Sequence, residues 1–132
     1  MSKWGKVDFS ELKKLQKQIQ RAERNMIKMQ DEIAIKIGNE FLQEVIERTP
    51  KSENNTLRNH WKLQILRNKA SYTVVVYNDL EYASMVEFGH KTDNGGWKQG
   101  YFMMTITEQD IEKKMNNLAT PIIDKYLGEI FK

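Results

Sequence analysis

The chain has 132 residues, 39% of them hydrophobic and 30% charged, with a formal net charge of +3, two histidines and no cysteine. Such a chain suits one globular domain that buries roughly two thirds of its unfolded surface without disulfides or metals, and the missing cysteines exclude thiolate zinc sites, iron–sulfur clusters and cysteine nucleophiles. No run approaches the roughly 18 apolar residues of a membrane span, and Lys3, Lys6, Lys13 and Lys14 interrupt any signal-like apolar core. The expectation is a protein of a reducing compartment that is neither secreted nor inserted in a membrane.

From Leu12 onward, apolar residues recur as Leu12, Leu15, Ile19, Ala22, Met26, Met29 and Ile33. This alternation of three and four defines one helical seam. It continues through Ile37, Phe41 and Val45 at spacings of four, which moves the stripe around the helix and disfavours a long parallel zipper. Asp8 is placed as the N-cap, with Glu11 three residues on and Val7 and Leu12 as a hydrophobic staple. Pro50 predicts the end at Arg48 or Thr49. A helix over 8–49 would be roughly 60 Å long, so it either breaks near Gln30 and Asp31 or packs its first half on another subunit.

Charge is segregated along this helix. Residues 1–28 hold eight Lys/Arg against Asp8, Glu11 and Glu23, whereas residues 29–50 hold Lys36 and Arg48 against five acids. That polarity opposes the helix macrodipole and gains nothing from it. Lys13, Lys14, Lys17, Arg21, Arg24 and Lys28 form a candidate basic contact surface. Three readings fit: a solvated face, a head-to-tail subunit contact between a basic end and a neighbour's acidic stretch, or phosphate binding.

The β-rich region spans 57–105. After the polar, turn-rich residues 51–56, Trp61–Arg67 and Tyr72–Asn78 are β-favouring runs separated by four residues, as in a hairpin. Trp61, Leu63 and Ile65 share one face while Lys62 and Gln64 take the other; the second run is more apolar on both faces, which suggests a central position or a covered outer face. Residues 82–88 are ambiguous. Four of the seven glycines lie within 89–100, so that stretch reads as a loop with special backbone positions. Its Trp97 either packs back onto the loop or anchors an interface. C-terminal helices are expected over 107–131: one from Thr107, with Asp110 as a capping-box analogue, and another from Thr120 with Pro121 at its first position.

No catalytic constellation stands out. His60 and His90 lie thirty residues apart, in no metal-ligand spacing. Glu87 sits between Val86 and Phe88 and reads as partly buried, held by a partner such as Arg58 or acting as a backbone cap; general-acid work would need a second positioned group. No phosphate-cradling glycine loop, nucleophile elbow or paired metal-binding carboxylates occur. The expectation is a non-enzyme without cofactor or metal.

Residues 49–104 carry a resemblance. Thr49-Pro50, a polar loop and then Thr56-Leu57-Arg58-Asn59-His60-Trp61 resembles the "TP, turn, TLRRSW" pattern of tailed-phage neck proteins, the tail-completion or head-to-tail joining family of tail components. Asn78, Tyr82-Ala83 and Val86-Glu87-Phe88-Gly89-His90 are similar to its "N, YA, VE-aromatic-GH" stretch, and Gly100-Tyr101-Phe102-Met103 to its "G-x-x-M" before the last helix. The chain departs from the pattern at residues 51–55, which replace a "VDTG"-like turn without glycine, and at Asn59-His60, where Arg-Ser is commoner.

The resemblance implies an α+β domain: an antiparallel sheet with a long N-terminal helix and C-terminal helices against it. It implies a virion protein, assembled in the bacterial host cytoplasm, that forms a homo-oligomeric ring, a hexamer by family expectation. The ring would complete the tail, contacting the tail tube protein and docking to the capsid connector or stopper protein, with DNA in its lumen as a further non-specific contact. Tyr82, Glu87, Phe88, Gly89 and His90 would shape the loop base, and Asp93, Asn94, Gly95, Gly96, Trp97 and Lys98 would reach a neighbouring protein. A tail terminator controlling tube length is the alternative within this class; a small nucleic-acid-binding protein using the basic half of the first helix is the alternative outside it.

Overall fold

A computed structural model describes residues 10–68 and 71–130. In chain order it contains helix α1 (Ser10–Arg48), the helical turn α2 (Thr56–Asn59), strands β1 (Trp61–Arg67) and β2 (Tyr72–Asn78), helix α3 (Ala83–Phe88), strands β3 (Gly89–Lys91) and β4 (Trp97–Gln99), and helix α4 (Met103–Ile130). The cap at Asp8 and its staple with Val7 lie outside the described residues. The architecture is α+β: the antiparallel β1–β2 hairpin lies against α1, which pairs along its length with α4, and the antiparallel β3–β4 hairpin adjoins α3.

The 39 residues of α1 follow one another without interruption, for a length of roughly 58 Å. Of the two alternatives, the break near Gln30 and Asp31 does not occur, and this part of the helix is held from two sides. Arg67 Nε donates to Asp31 Oδ1 at 2.7 Å from the sheet, while Lys125 Nζ and Tyr126 Oη donate to Glu32 at 2.8 Å from α4. Pro50 ends the helix as expected, and its last turn is closed by tertiary donors. Thr49 Oγ1 donates to Val45 O at 2.6 Å and accepts from Trp61 Nε1 at 2.8 Å. Arg58 donates through Nε to Thr49 O at 2.8 Å and through Nη2 to Glu47 O at 3.2 Å, occupying carbonyls that no helical amide can reach.

β1 and β2 pair from Trp61↔Asn78 to Arg67↔Tyr72. The face carrying Trp61, Leu63, Ile65, Val74 and Val76 turns inward, as the alternation of β1 predicts. α1 crosses this face at Gly38, where an added Cβ would stand 2.9 Å from a Leu63 methyl and 3.4 Å from a Val74 methyl. The core cluster of Val45, Leu57, Trp61 and Met103, flanked by Phe41, Val76 and Val86, lies where the end of α1 meets α2, β1, α3 and the start of α4.

α4 runs antiparallel to α1 along a ladder of polar contacts. Arg48 Nη1 donates to Thr107 Oγ1 at 2.9 Å, Lys114 pairs with Glu44 and with Glu40 at 3.7 Å, and Lys125 pairs with Glu32. Two expectations are corrected here. α4 begins at Met103 instead of Thr107, with Thr107 fully buried and donating to Met103 O at 2.6 Å, and Asp110 pairs with Arg48 and Lys114 instead of capping. Pro121 lies inside this one helix and does not start another. The contacts to Glu44 on one side of Pro121 and to Glu32 on the other hold the helix on α1 through the proline, so packing overrides the local preference.

The Lys125 and Tyr126 hydrogen bonds hold the Glu32 carboxyl below its ordinary value of 4.5, because they favour its ionised form. A depressed carboxyl contributes stability above its unfolded pKa and loses it as pH falls through the folded pKa. Glu32→Gln is therefore expected to lower Tm at pH 7, and the gap to wild type should shrink as pH drops below 4.5. Thermal unfolding followed by circular dichroism from neutral to acid pH measures this; a gap that stays constant into acid would refute the assignment.

Candidate interaction surfaces

α3, the β3–β4 hairpin and the start of α4 meet at one junction. Glu87 is only 6% exposed. Its carboxylate accepts from Met104 N at 2.8 Å, from Thr105 N at 2.9 Å and from Thr105 Oγ1 at 2.7 Å. Of the partners weighed from sequence, Arg58 is engaged at the end of α1, and Glu87 serves as the backbone cap of α4. A carboxylate suits this place, since the first amides of a helix lack internal acceptors and carry the positive end of its dipole.

The two glycines that flank the hairpin let it close onto α3. Gly89 adopts φ +90°, and a Cβ there would lie 2.5 Å from Lys98 O; a Cβ on Gly100 would run into Glu87 O. The next two amides complete the junction, Tyr101 N donating to Val86 O at 2.8 Å and Phe102 N to Glu87 O at 3.0 Å. Phe102 takes φ +50°, and its ring meets Phe88 edge-on at 6.3 Å. Tyr82 supplies the carbonyl that starts α3, accepting from Met85 N and Val86 N. Nδ1 of His90 is buried without a partner among the described residues.

The stretch read as a loop is instead a short hairpin, with Gly89↔Gln99, His90↔Lys98 and Lys91↔Trp97 in register. Its turn holds Asp93, Asn94, Gly95 and Gly96, closed by Thr92 N to Gly96 O at 2.9 Å, with Gly95 at φ +84°. Asp93, Asn94, Trp97 and Lys98 are exposed. The Trp97 indole reaches back over Gly89, 3.0 Å from where a Cβ would stand, yet is 60% exposed. It combines packing onto its own hairpin with a large open face.

Residues 10–28 of α1 form an arm with two faces. Lys125 and Tyr126, near the end of α4, sit beside Glu32, so the arm projects beyond the α1–α4 pairing. Leu12, Leu15, Ile19 and Met26 are 58%, 51%, 50% and 41% exposed, whereas Met29 and Ala34 on the body are buried. The seam is one stripe, half covered and half bare. The six basic residues of the arm are also exposed. Lys17, Arg21, Arg24 and Lys28 have no ion-pair partner among the described residues.

Sequence reading missed a groove of 590 Å³ between α1, β2 and α4. Ile37, Phe41, Val74, Val76, Ile111 and Met115 line it, and its charged residues are Glu108 and Glu112. The signal was present as three separate apolar patterns, but only their juxtaposition makes a cleft. Of the histidines, His60 Nδ1 sits 2.7 Å from Asp79 Oδ1 at the surface, and this contact holds the Asp79 carboxyl below the usual carboxylate range. Among the described residues no cluster of three His, Asp or Glu side chains could hold a metal, and no helix is long and apolar enough to cross a membrane.

The chain matches the family model described as "Bacteriophage HK97-gp10, putative tail-component" over residues 13–89. That stretch includes most of the arm, the β1–β2 hairpin and α3 with Glu87 and Gly89. No curated protein and no solved structure matches the chain.

Replacing Glu87 with Ala strands two helix-end amides in a buried place and is expected to cost about 2–4 kcal/mol. Glu87→Gln keeps one amide oxygen as an acceptor and should cost about half as much. Urea unfolding of the three proteins tests the cap, and indistinguishable midpoints would show that α4 starts without it.

Proposed function

The chain belongs to the HK97-gp10-like family of phage tail components, and from that premise we propose that it is a ring-forming tail-completion protein. Copies of the chain assemble at the head-proximal end of the tail, complete it, and dock it to the capsid connector or stopper protein. Assembly takes place in the bacterial host cytoplasm, and the finished ring resides in the virion. The family is structural, and the work of this chain is mechanical. Six-fold symmetry is carried over from the family resemblance.

The observation that carries the proposal is the bare half of the α1 seam. An isolated helix is marginal in water without a packed apolar face, and among the described residues Leu12, Leu15, Ile19 and Met26 have no body to pack on. A single chain cannot cover them with its own groove: α1 is continuous, and Ile19 and Ile37 are separated by roughly 27 Å along it. The cover must come from another molecule. The apolar groove between α1, β2 and α4 is the matching surface on a second copy. A contact between two different patches is heterologous, and repeated it gives a ring where the rotation closes and an open filament where it does not; the family resemblance favours the ring. The β3–β4 hairpin, with Trp97 open at its edge, then remains for the tail tube protein or the connector.

Two experiments test this. Leu15→Asp combined with Ile19→Asp should abolish the oligomer in sedimentation velocity and leave the near-UV circular dichroism of the body native, because both side chains are exposed on the single chain; an unchanged oligomer would separate the stripe from assembly. Electron microscopy of particles made with and without the gene reads the role. Filled capsids beside free tails of normal length support joining, overlong tails indicate a terminator, and normal joined particles overturn the neck assignment.

A further inference from the structure

The arm carries a second row that assembly through the apolar stripe leaves unused. Lys14, Lys17, Arg21, Arg24 and Lys28 recur at steps of three and four, the same period as Leu12, Leu15, Ile19, Ala22 and Met26 displaced by two residues. On a helix of 3.6 residues per turn the two rows lie roughly 160° apart. A protein surface that covers the stripe therefore leaves the cations facing away from it. The row is straight, spans roughly 21 Å with a cation about every 5 Å, and all five side chains are exposed.

We propose that this row is a sequence-independent contact for the phosphate backbone of a nucleic-acid duplex. A duplex presents roughly one negative charge per 1.7 Å of axis, so an evenly spaced row on a rigid helix meets anions in any register, without a shaped pocket. No base-reading element accompanies the row, because no aromatic residue lies on residues 10–28. An acidic protein surface fits less well. On a second copy, Asp31, Glu32, Glu44, Asp79, Glu87 and Asp110 are already held by Arg67, Lys125, Lys114, His60, the α4 amides and Arg48, and Glu108 and Glu112 line the groove assigned to the stripe, on the side of the arm away from the row. An anionic membrane is the competing partner, since an interfacial helix also carries its cations on the face away from its apolar stripe; it would take up the stripe as well, whereas the ring covers the stripe with protein and leaves only the row. The inference rests on the ring reading only for which face of the arm stays free.

The test is fluorescence anisotropy with a short mixed-sequence DNA duplex at several salt concentrations. If three to five cations engage, log K should fall against log salt with a slope of roughly −3 to −4.5, a loss of roughly 60- to 500-fold between 50 and 200 mM. Lys17→Gln with Arg21→Gln and Arg24→Gln should flatten the slope by roughly 2 to 3 while the sedimentation profile stays that of wild type. Absent or salt-insensitive binding by the wild type, or an unchanged slope in the triple variant, would overturn the proposal. So would tighter binding to polyglutamate or to anionic vesicles than to the duplex. Sedimentation of the same samples separates the two readings: an oligomer that ignores DNA sinks this inference alone, and a monomer that binds it with the expected slope sinks the ring alone.

Discussion

The carboxylate of Glu87 on the first amides of α4 is the contact from which the arrangement of the C-terminal half follows. The residue before α4 is Phe102, which has no side-chain acceptor and takes φ +50°, so the helix cannot cap itself at this point. With the acceptor supplied by α3, the end of one helix and the start of the other become a single unit. Tyr101 and Phe102 N–H groups then return to the last carbonyls of α3, and Gly89 and Gly100 allow the hairpin to close on the same spot. Because α4 starts there, Met103 enters the core beside Val45 and Trp61, and Arg48, Lys114 and Lys125 fall into line between α4 and α1.

What could be read from sequence follows from how far each determinant acts. The β1–β2 hairpin was legible because the alternation of Trp61, Leu63 and Ile65 is carried by neighbouring residues, and the end of α1 was legible because Pro50 acts on the residue before it. The start of α4 was not, since its cap comes from seventeen residues upstream and the local signal at Thr107 and Asp110 belongs to other partners. Pro121 misled for the same reason: contacts with α1 on both sides outweigh a local stop. The β3–β4 hairpin has few β-favouring residues and exists because two glycine backbones can touch their neighbours.

The motif residues show a subtler gap. Thr49, Arg58 and Trp61 were visible as a pattern, but their shared task was not. Together they occupy the terminal carbonyls and the buried hydroxyl where α1 stops, which fixes the angle at which the chain leaves a 39-residue helix and enters the sheet. Charge alone pairs Arg58 with Glu87; geometry gives each a different helix end to close. Opposite charges from two separate stretches of the pattern thus serve opposite poles, a cation at the carbonyl end of α1 and an anion at the amide end of α4.

The arm is where local and global requirements diverge. Its five cations at helical spacing repel one another at i, i+3 and i, i+4, they sit at the end of the helix that the macrodipole makes positive, and the stripe opposite them is bare. Each feature works against an isolated helix, and each is relieved by a partner: an apolar cover for the stripe and an anion for the row. Since the two rows share one period, no rotation of the arm can bury both against the same surface. Residues 10–28 are therefore suited to stand between two different molecules, and in the proposed assembly the order of the arm would be linked by mass action to binding them.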